Sequence, residues 1–145
     1  MKPKWIRSLT GTMDIDPDEY SLMTSPNRWA SLGYAISGWL YMLRRQKNTR
    51  IQAVASIAVL IFALWLQIDL VRFSLLIITI TIVWMAEFLN AAVEAAINLG
   101  TTEWHPMAKV GKDVASAAVL LGVVAAVIVG ICLLGPAFLQ RIGFA

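Results

Sequence analysis

Glu87, Asn90 and Glu94 stand three and four positions apart inside residues 73–97 (FSLLIITITIVWMAEFLNAAVEAAI), a stretch that otherwise reads as a membrane-spanning helix. A carboxylate at membrane depth costs about 3 kcal/mol on insertion scales, so it marks a place where chemistry is to be sought. At helical spacing these three residues and Asn98 fall within an arc of about 80°. One helix therefore carries a polar stripe about three turns long. Carboxylates there can take a proton from a hydroxyl or hold a divalent cation through oxygen. The segment that follows adds Glu103, Trp104 and His105, then Lys109, then Lys112 and Asp113. Lys112 is a point charge suited to a phosphate. Phosphoryl transfer asks mainly for positioning and charge neutralisation, and this set of groups suffices for it. Neither a Walker A sequence nor a kinase-type glycine-rich loop occurs. Residue types alone leave three readings open: phosphoryl transfer, an ion or proton pathway, and a structural polar seam.

The elements that must position these groups follow from hydropathy. Hydrophobic residues make up 59% of the 145 residues and charged ones 14%, against about 45–50% and 25% in soluble domains. With a mean hydropathy of +0.70, the composition excludes a soluble domain and predicts an all-α integral membrane protein. Residues 1–27 form a polar, flexible head with an acidic cluster, Asp14, Asp16, Asp18 and Glu19. That cluster lacks the turn glycine and distant Glu of an EF-hand loop. No signal peptide is visible. Residues 28–145 make the membrane domain. Trp29, Leu32, Ile36, Leu40 and Leu43 recur at helical spacing, predicting an amphipathic surface helix over 28–45 that ends in Arg44, Arg45, Lys47 and Arg50, as an interfacial helix against anionic lipid does. Three spans follow, at about 48–67, 73–97 and 113–135.

The first two spans are joined by a tight hairpin around Gln67-Ile68-Asp69, and the last two by a longer polar connection, Asn98–Asp113. Lys2, Lys4, Arg7, Arg28, Arg44, Arg45, Lys47, Arg50, Lys109 and Lys112 fall on one side of the spans, and only Arg72 and Arg141 on the other. The positive-inside rule puts the N-terminus and the second connection in the cytoplasm and the C-terminus outside. Gly111, Ala115, Ala118 and Gly122 form a small-residue stripe that lets helices approach closely. Three spans enclose a carboxylate stripe poorly, so a homo-oligomer is expected. The lone Cys132 excludes an intrachain disulfide and reads as lipid-facing or packed.

At the polar stripe the chain resembles the small prokaryotic diacylglycerol kinase family, which includes undecaprenol kinases. The family motif E-x-L-N-x-A-x-E-x-x-x-D stands as Glu87-Phe-Leu-Asn90-Ala-Ala-Val-Glu94-Ala-Ala-Ile-Asn98. A second block, E-[YW]-H-x-x-[AS]-x-x-x-K-D, stands as Glu103-Trp104-His105-Pro-Met-Ala-Lys109-Val-Gly-Lys112-Asp113. Upstream, Gly33-Tyr34 with Gly38 and Gln46-Lys-Asn48-Thr-Arg50-Ile51 resemble the family's surface helix and junction. The resemblance implies a homotrimeric enzyme of the bacterial inner membrane that phosphorylates a lipid alcohol, diacylglycerol or undecaprenol, from Mg-ATP. Its partners would be ATP, the lipid, the bilayer and further copies of itself, with no nucleic acid.

By the same resemblance Glu87 is the general base, assisted by Asn90, and Mg²⁺ is held by Glu94 and Gln46. Nucleotide is contacted by Tyr34, Glu94, Glu103, Trp104, His105, Lys112, Asp113 and Arg28. Lipid is contacted by Glu87, Gly38, Asn48, Arg50 and Ser116. Two positions depart from the family: Gln46 replaces a metal-binding carboxylate, and Asn98 replaces the Asp that ends the first motif. Both departures leave room for an alternative, a catalytically silent membrane protein of the same fold that binds nucleotide or a partner. An ion or proton conduit is a third reading.

Overall fold

The computed structural model describes residues 27–101 and 103–144. The acidic cluster Asp14, Asp16, Asp18 and Glu19 lies outside the described residues. Four helices are present: α1 (Arg28–Arg45), α2 (Lys47–Leu66), α3 (Leu70–Gly100) and α4 (Pro106–Arg141). No strand occurs among the described residues. The last three helices are each long and apolar enough to cross a membrane.

The chain divides into two units after Leu40, and each is described by itself. In the first, α1 starts where Asn27 caps it: the side-chain oxygen accepts from the Ala30 backbone N–H at 2.8 Å. Its apolar Trp29, Leu32, Ile36 and Leu40 are all exposed.

The second unit contains the three long helices. The extended backbone of Gln46 separates α1 from α2. At the other end of α2, Gln67 closes the helix in the left-handed conformation (φ 54°), its N–H bonding the Leu64 carbonyl. Asp69 then caps α3, accepting from the backbone amides of Val71 and Arg72 at 3.0 and 3.1 Å and pairing with the Arg72 side chain at 3.1 Å. These contacts, the Arg72 amide foremost, hold the Asp69 carboxyl below its usual range.

The connection between α3 and α4 differs from the expected polar loop. Residues 98–100 continue α3, and α4 begins at Pro106. Polarity here does not mark a loop: Ala91, Ala92, Ala95 and Ala96 favour helix, and proline at the first helical position suits a start. The His105 Nδ1 accepts from the Met107 N–H at 3.2 Å and caps α4. Thr101 ends α3, and the described residues Glu103, Trp104 and His105 lead into α4.

Antiparallel α3 and α4 are the most closely packed pair. Gly122 faces Ala86 and Val83, and Gly111 faces Ile97, so the two glycines of the small-residue stripe lie against α3, while Ala118 is exposed. The best-buried cluster sits at the other end of the bundle from Asn98, where Ala63 and Leu66 of α2 meet Leu76 of α3 and Leu134 and Ala137 of α4. Phe62 stacks on Trp65 there, and the Arg141 guanidinium lies 5.5 Å over the Trp65 ring. Cys132 is exposed on α4.

Candidate active site at the polar end of the helix bundle

Two cavities adjoin the α3 stripe. The first is a groove of about 880 Å³ between α2, α3 and α4, in the size range of small-molecule sites. Its walls are mostly aliphatic, from Val59, Leu76, Ile80, Val119, Val127 and Leu134. Its polar end gathers Asn48, Gln52 and Ser56 from α2, Glu87 and Asn90 from α3, and Ser116 from α4. Glu87 is only 4% exposed, one of two buried polar or charged residues among those described. The Trp84 indole N–H donates to Ser56 Oγ at 3.1 Å, tying α2 to α3 beside it. An apolar trough that ends in a carboxylate, an amide and hydroxyls suits a long-chain alcohol.

The second cavity lies where α3 ends and α4 begins. Asn98, Thr101, Glu103, Trp104, His105, Lys109, Lys112 and Asp113 line it. Thr101 organises the turn: its hydroxyl accepts from the Glu103 N–H and donates to the Glu103 carbonyl, both at 3.1 Å. His105 spends Nδ1 on the helix cap, so its ring carries the proton on Nε2 and can present that donor to a ligand. Lys109 and Asp113 pair with each other. The Lys112 ammonium donates across the hairpin to Asn98 Oδ1 at 2.7 Å. Lys112 and Asp113, though neighbours in sequence, thus have different partners. Adjacent residues on a helix point about 100° apart and do not face each other, whereas Lys109 and Asp113 are one turn apart.

The structure thus brings Glu87, Asn90, Asn48 and Ser116 together in the groove. It brings Glu103, Trp104, His105, Lys112 and Asp113 together at the hairpin tip. Glu94 is exposed and lies between the two cavities on α3, lining neither. Gln46, at the junction of α1 and α2, is half-buried; Arg50 is exposed, and both lie outside the two cavities. Arg28, Tyr34 and Gly38 belong to the first unit.

Gln52 and Ser56 were not singled out by the sequence reading. The signal existed: Asn48, Gln52 and Ser56 follow at four-residue intervals, a polar stripe on α2 like that on α3. Among the described residues, Thr49 Oγ1 and Gln52 Nε2 are buried without a hydrogen-bond partner.

Three helices long and apolar enough to cross a membrane, with an apolar groove between them and a polar cavity where Glu103 and Asp113 balance Lys109 and Lys112, define a helical membrane protein. The chain belongs to the prokaryotic diacylglycerol kinase family, whose profile matches residues 33–134. It is therefore a phosphotransferase with a lipid alcohol as acceptor. It is 39% identical over 117 residues to a diacylglycerol kinase of Synechocystis sp., covering 80% of this chain and 67% of that one. Identity to the diacylglycerol kinase of Escherichia coli K12 is 33% over 106 residues, 73% of this chain and 87% of that one. An undecaprenol kinase of Bacillus subtilis strain 168 is 31% identical over 93 residues, 64% of this chain and 76% of that one.

Proposed function

We propose that this protein is an ATP-dependent lipid kinase of the bacterial inner membrane. It transfers the γ-phosphoryl group of ATP to the hydroxyl of a membrane lipid alcohol, diacylglycerol or undecaprenol, the acceptors in its relatives' names. The observation that carries the reading is Glu87, a buried carboxylate at the polar end of an apolar groove, on the helix that also leads to a polar cluster holding Lys112.

Depth supports this arrangement. A 30 Å hydrocarbon layer takes about 20 residues of helix. Counted from Phe73, such a layer ends near Ala92. Glu87 then lies roughly 8 Å inside the layer and Glu94 roughly 3 Å beyond it. The 31 residues of α3 and 36 of α4 outrun the layer and carry the second cavity into water. The basic residues at that end, Arg44, Arg45, Lys47, Arg50, Lys109 and Lys112, favour the cytoplasmic side for it, and the outside for the C-terminus.

In the reaction, the lipid tail lies in the groove and its hydroxyl meets Glu87. The carboxylate takes the hydroxyl proton as the oxygen attacks the γ-phosphorus. The new O–P bond forms as the bond from the γ-phosphorus to the bridging oxygen breaks, releasing ADP. Asn90, one turn on, hydrogen-bonds the transferring group. Lys112 sits on phosphate, while Glu103, Trp104, His105 and Asp113 receive the rest of the nucleotide. Tyr34 and Arg28 of α1 would contact nucleotide, and Gly38, Asn48, Arg50 and Ser116 the lipid. Glu94 and Gln46 would be the protein's oxygen donors for Mg²⁺, with phosphates and water supplying the rest of its ligands. When bound, Mg²⁺ would neutralise charge on the phosphates. We further propose that α1 lies at the membrane surface, where its exposed apolar residues meet lipid, and that three copies assemble.

The test is transfer of labelled phosphate from ATP to lipid in mixed micelles, with diacylglycerol and undecaprenol side by side. Glu87→Gln is expected to lower turnover by about 10²–10⁴. Undiminished turnover removes Glu87 as the base. The neutral Gln46 favours a second reading, a silent protein of the same fold; absence of transfer to either lipid by the wild type would support it.

A further inference from the structure

Of the two lysines at the start of α4, one is neutralised and the other is not. Lys109 is paired with Asp113 on its own helix. Lys112, half-buried, donates to the amide oxygen of Asn98 across the hairpin at 2.7 Å. The hairpin's packing sets this register. Gly111, next to Lys112, lies against Ile97, next to Asn98, so closely that a Cβ on Gly111 would stand 2.8 Å from Ile97 Cδ1. Backbone and hydrogen bond therefore fix one another.

An amide in that place differs from a carboxylate. Both accept a hydrogen bond from an ammonium and both restrict its long, flexible stem. A carboxylate also cancels its charge, which an amide leaves intact. The lysine so held lines the same cavity as Thr101, Glu103, Trp104 and His105, and its hydrogen bond goes to Asn98 rather than to the Glu103 carboxylate. We propose that Asn98 is a positioning residue for nucleotide phosphate: it anchors the Lys112 ammonium over the cavity between α3 and α4 while leaving its full positive charge for the ligand. The inference rests on the reading of Lys112 as a phosphate contact. It assigns to Asn98 a role that acts only through that lysine.

A double-mutant cycle on the full-length protein tests it, with Asn98→Ala, Lys112→Ala and the double variant assayed at varied ATP in mixed micelles. Freeing the ammonium is expected to lower kcat about tenfold, a fraction of the roughly hundredfold that a misplacement of 1 Å can cost, and to weaken binding of ATP several-fold, read as a higher KM or a higher Kd for the analogue. In the Lys112→Ala background the same substitution should change nothing, because there is no ammonium left to hold. Asn98→Asp keeps the anchor and cancels the charge; it should raise the KM for ATP several-fold and leave kcat nearer the wild type.

Equilibrium binding of a fluorescent ATP analogue to the detergent-solubilised protein runs the same cycle if Lys112→Ala abolishes turnover. Equal losses from Asn98→Ala in both backgrounds would overturn the proposal, as would a wild-type-like Asn98→Ala protein. An inactive wild type would count against the kinase reading itself, and the binding cycle would still decide whether Asn98 works through Lys112.

Discussion

Gly111 and Gly122 lie on one face of α4 and both pack on α3, yet the same substitution should act on them with opposite sign. Alanine is favoured over glycine inside a helix by about 1 kcal/mol. At Gly122 the added Cβ would meet Ala86 and Val83 at 3.9 Å, an ordinary contact. Gly122→Ala therefore keeps the gain. In a chain of this size about 1 kcal/mol moves the melting temperature by roughly 4 °C, here upward. At Gly111 the Cβ would stand 2.8 Å from Ile97 Cδ1. Ile97 must withdraw by roughly 1 Å to reach van der Waals distance. Because the clashing atom ends a flexible side chain, a rotamer shift costing about 0.5–1.5 kcal/mol relieves part of the strain. Overpacking in a close helix pair otherwise costs about 1–3 kcal/mol.

Set against the helical gain, Gly111→Ala is expected to fall between no change and a loss of about 2 kcal/mol, with a melting temperature level or lower. Thermal unfolding in detergent, followed by circular dichroism, reads both variants. Turnover should separate them further, since displacing Ile97 disturbs the neighbouring Asn98 and through it Lys112. Equal stabilisation by the two substitutions would refute the close approach of the α3 and α4 tips on which the argument rests.

Two further predictions concern charge. Asp69 has its carboxyl held below the usual range, chiefly by the Arg72 amide, so it binds fewer protons folded than unfolded. Its contribution is complete above the ordinary carboxylate pKa of about 3.9 and is lost as pH falls through the lower folded value; Asp69→Asn should flatten the acid limb of a plot of melting temperature against pH. Gln46→Glu adds a carboxylate to the proposed Mg²⁺ donor set and should lower the Mg²⁺ concentration for half-maximal turnover several-fold, as measured by metal titration at fixed ATP.

How far the sequence reveals this molecule depends on what kind of signal each residue gives. The α3 stripe is visible because four polar residues interrupt an apolar run at helical spacing. The hairpin after α2 is equally plain, for Gln67 and Asp69 break a hydrophobic run within a few positions. The α2 stripe obeys the same rule and is harder to see, since Ser56 reads as a tolerated small residue and Asn48 as the end of a span. The long connection expected over Asn98–Asp113 rested on polarity, but helices leaving a bilayer are polar without unwinding. Partnerships across the hairpin leave no periodic trace: nothing in the order of residues says that Lys112 bonds Asn98 while Lys109 takes Asp113. That pairing follows from Gly111 settling on Ile97, a three-dimensional fit between positions fourteen apart.

Helices longer than the layer they cross also act as a ruler. On the depth proposed for α3, a bilayer thicker by about 5 Å would draw in roughly three more residues, enough to carry Glu94 from the headgroups into oil. A thinner one would lift Glu87 toward water and weaken its shielding by oil. The fatty-acid length of the host membrane would then be a setting on this protein, fixed by the distance from Phe73 to the first acidic side chain.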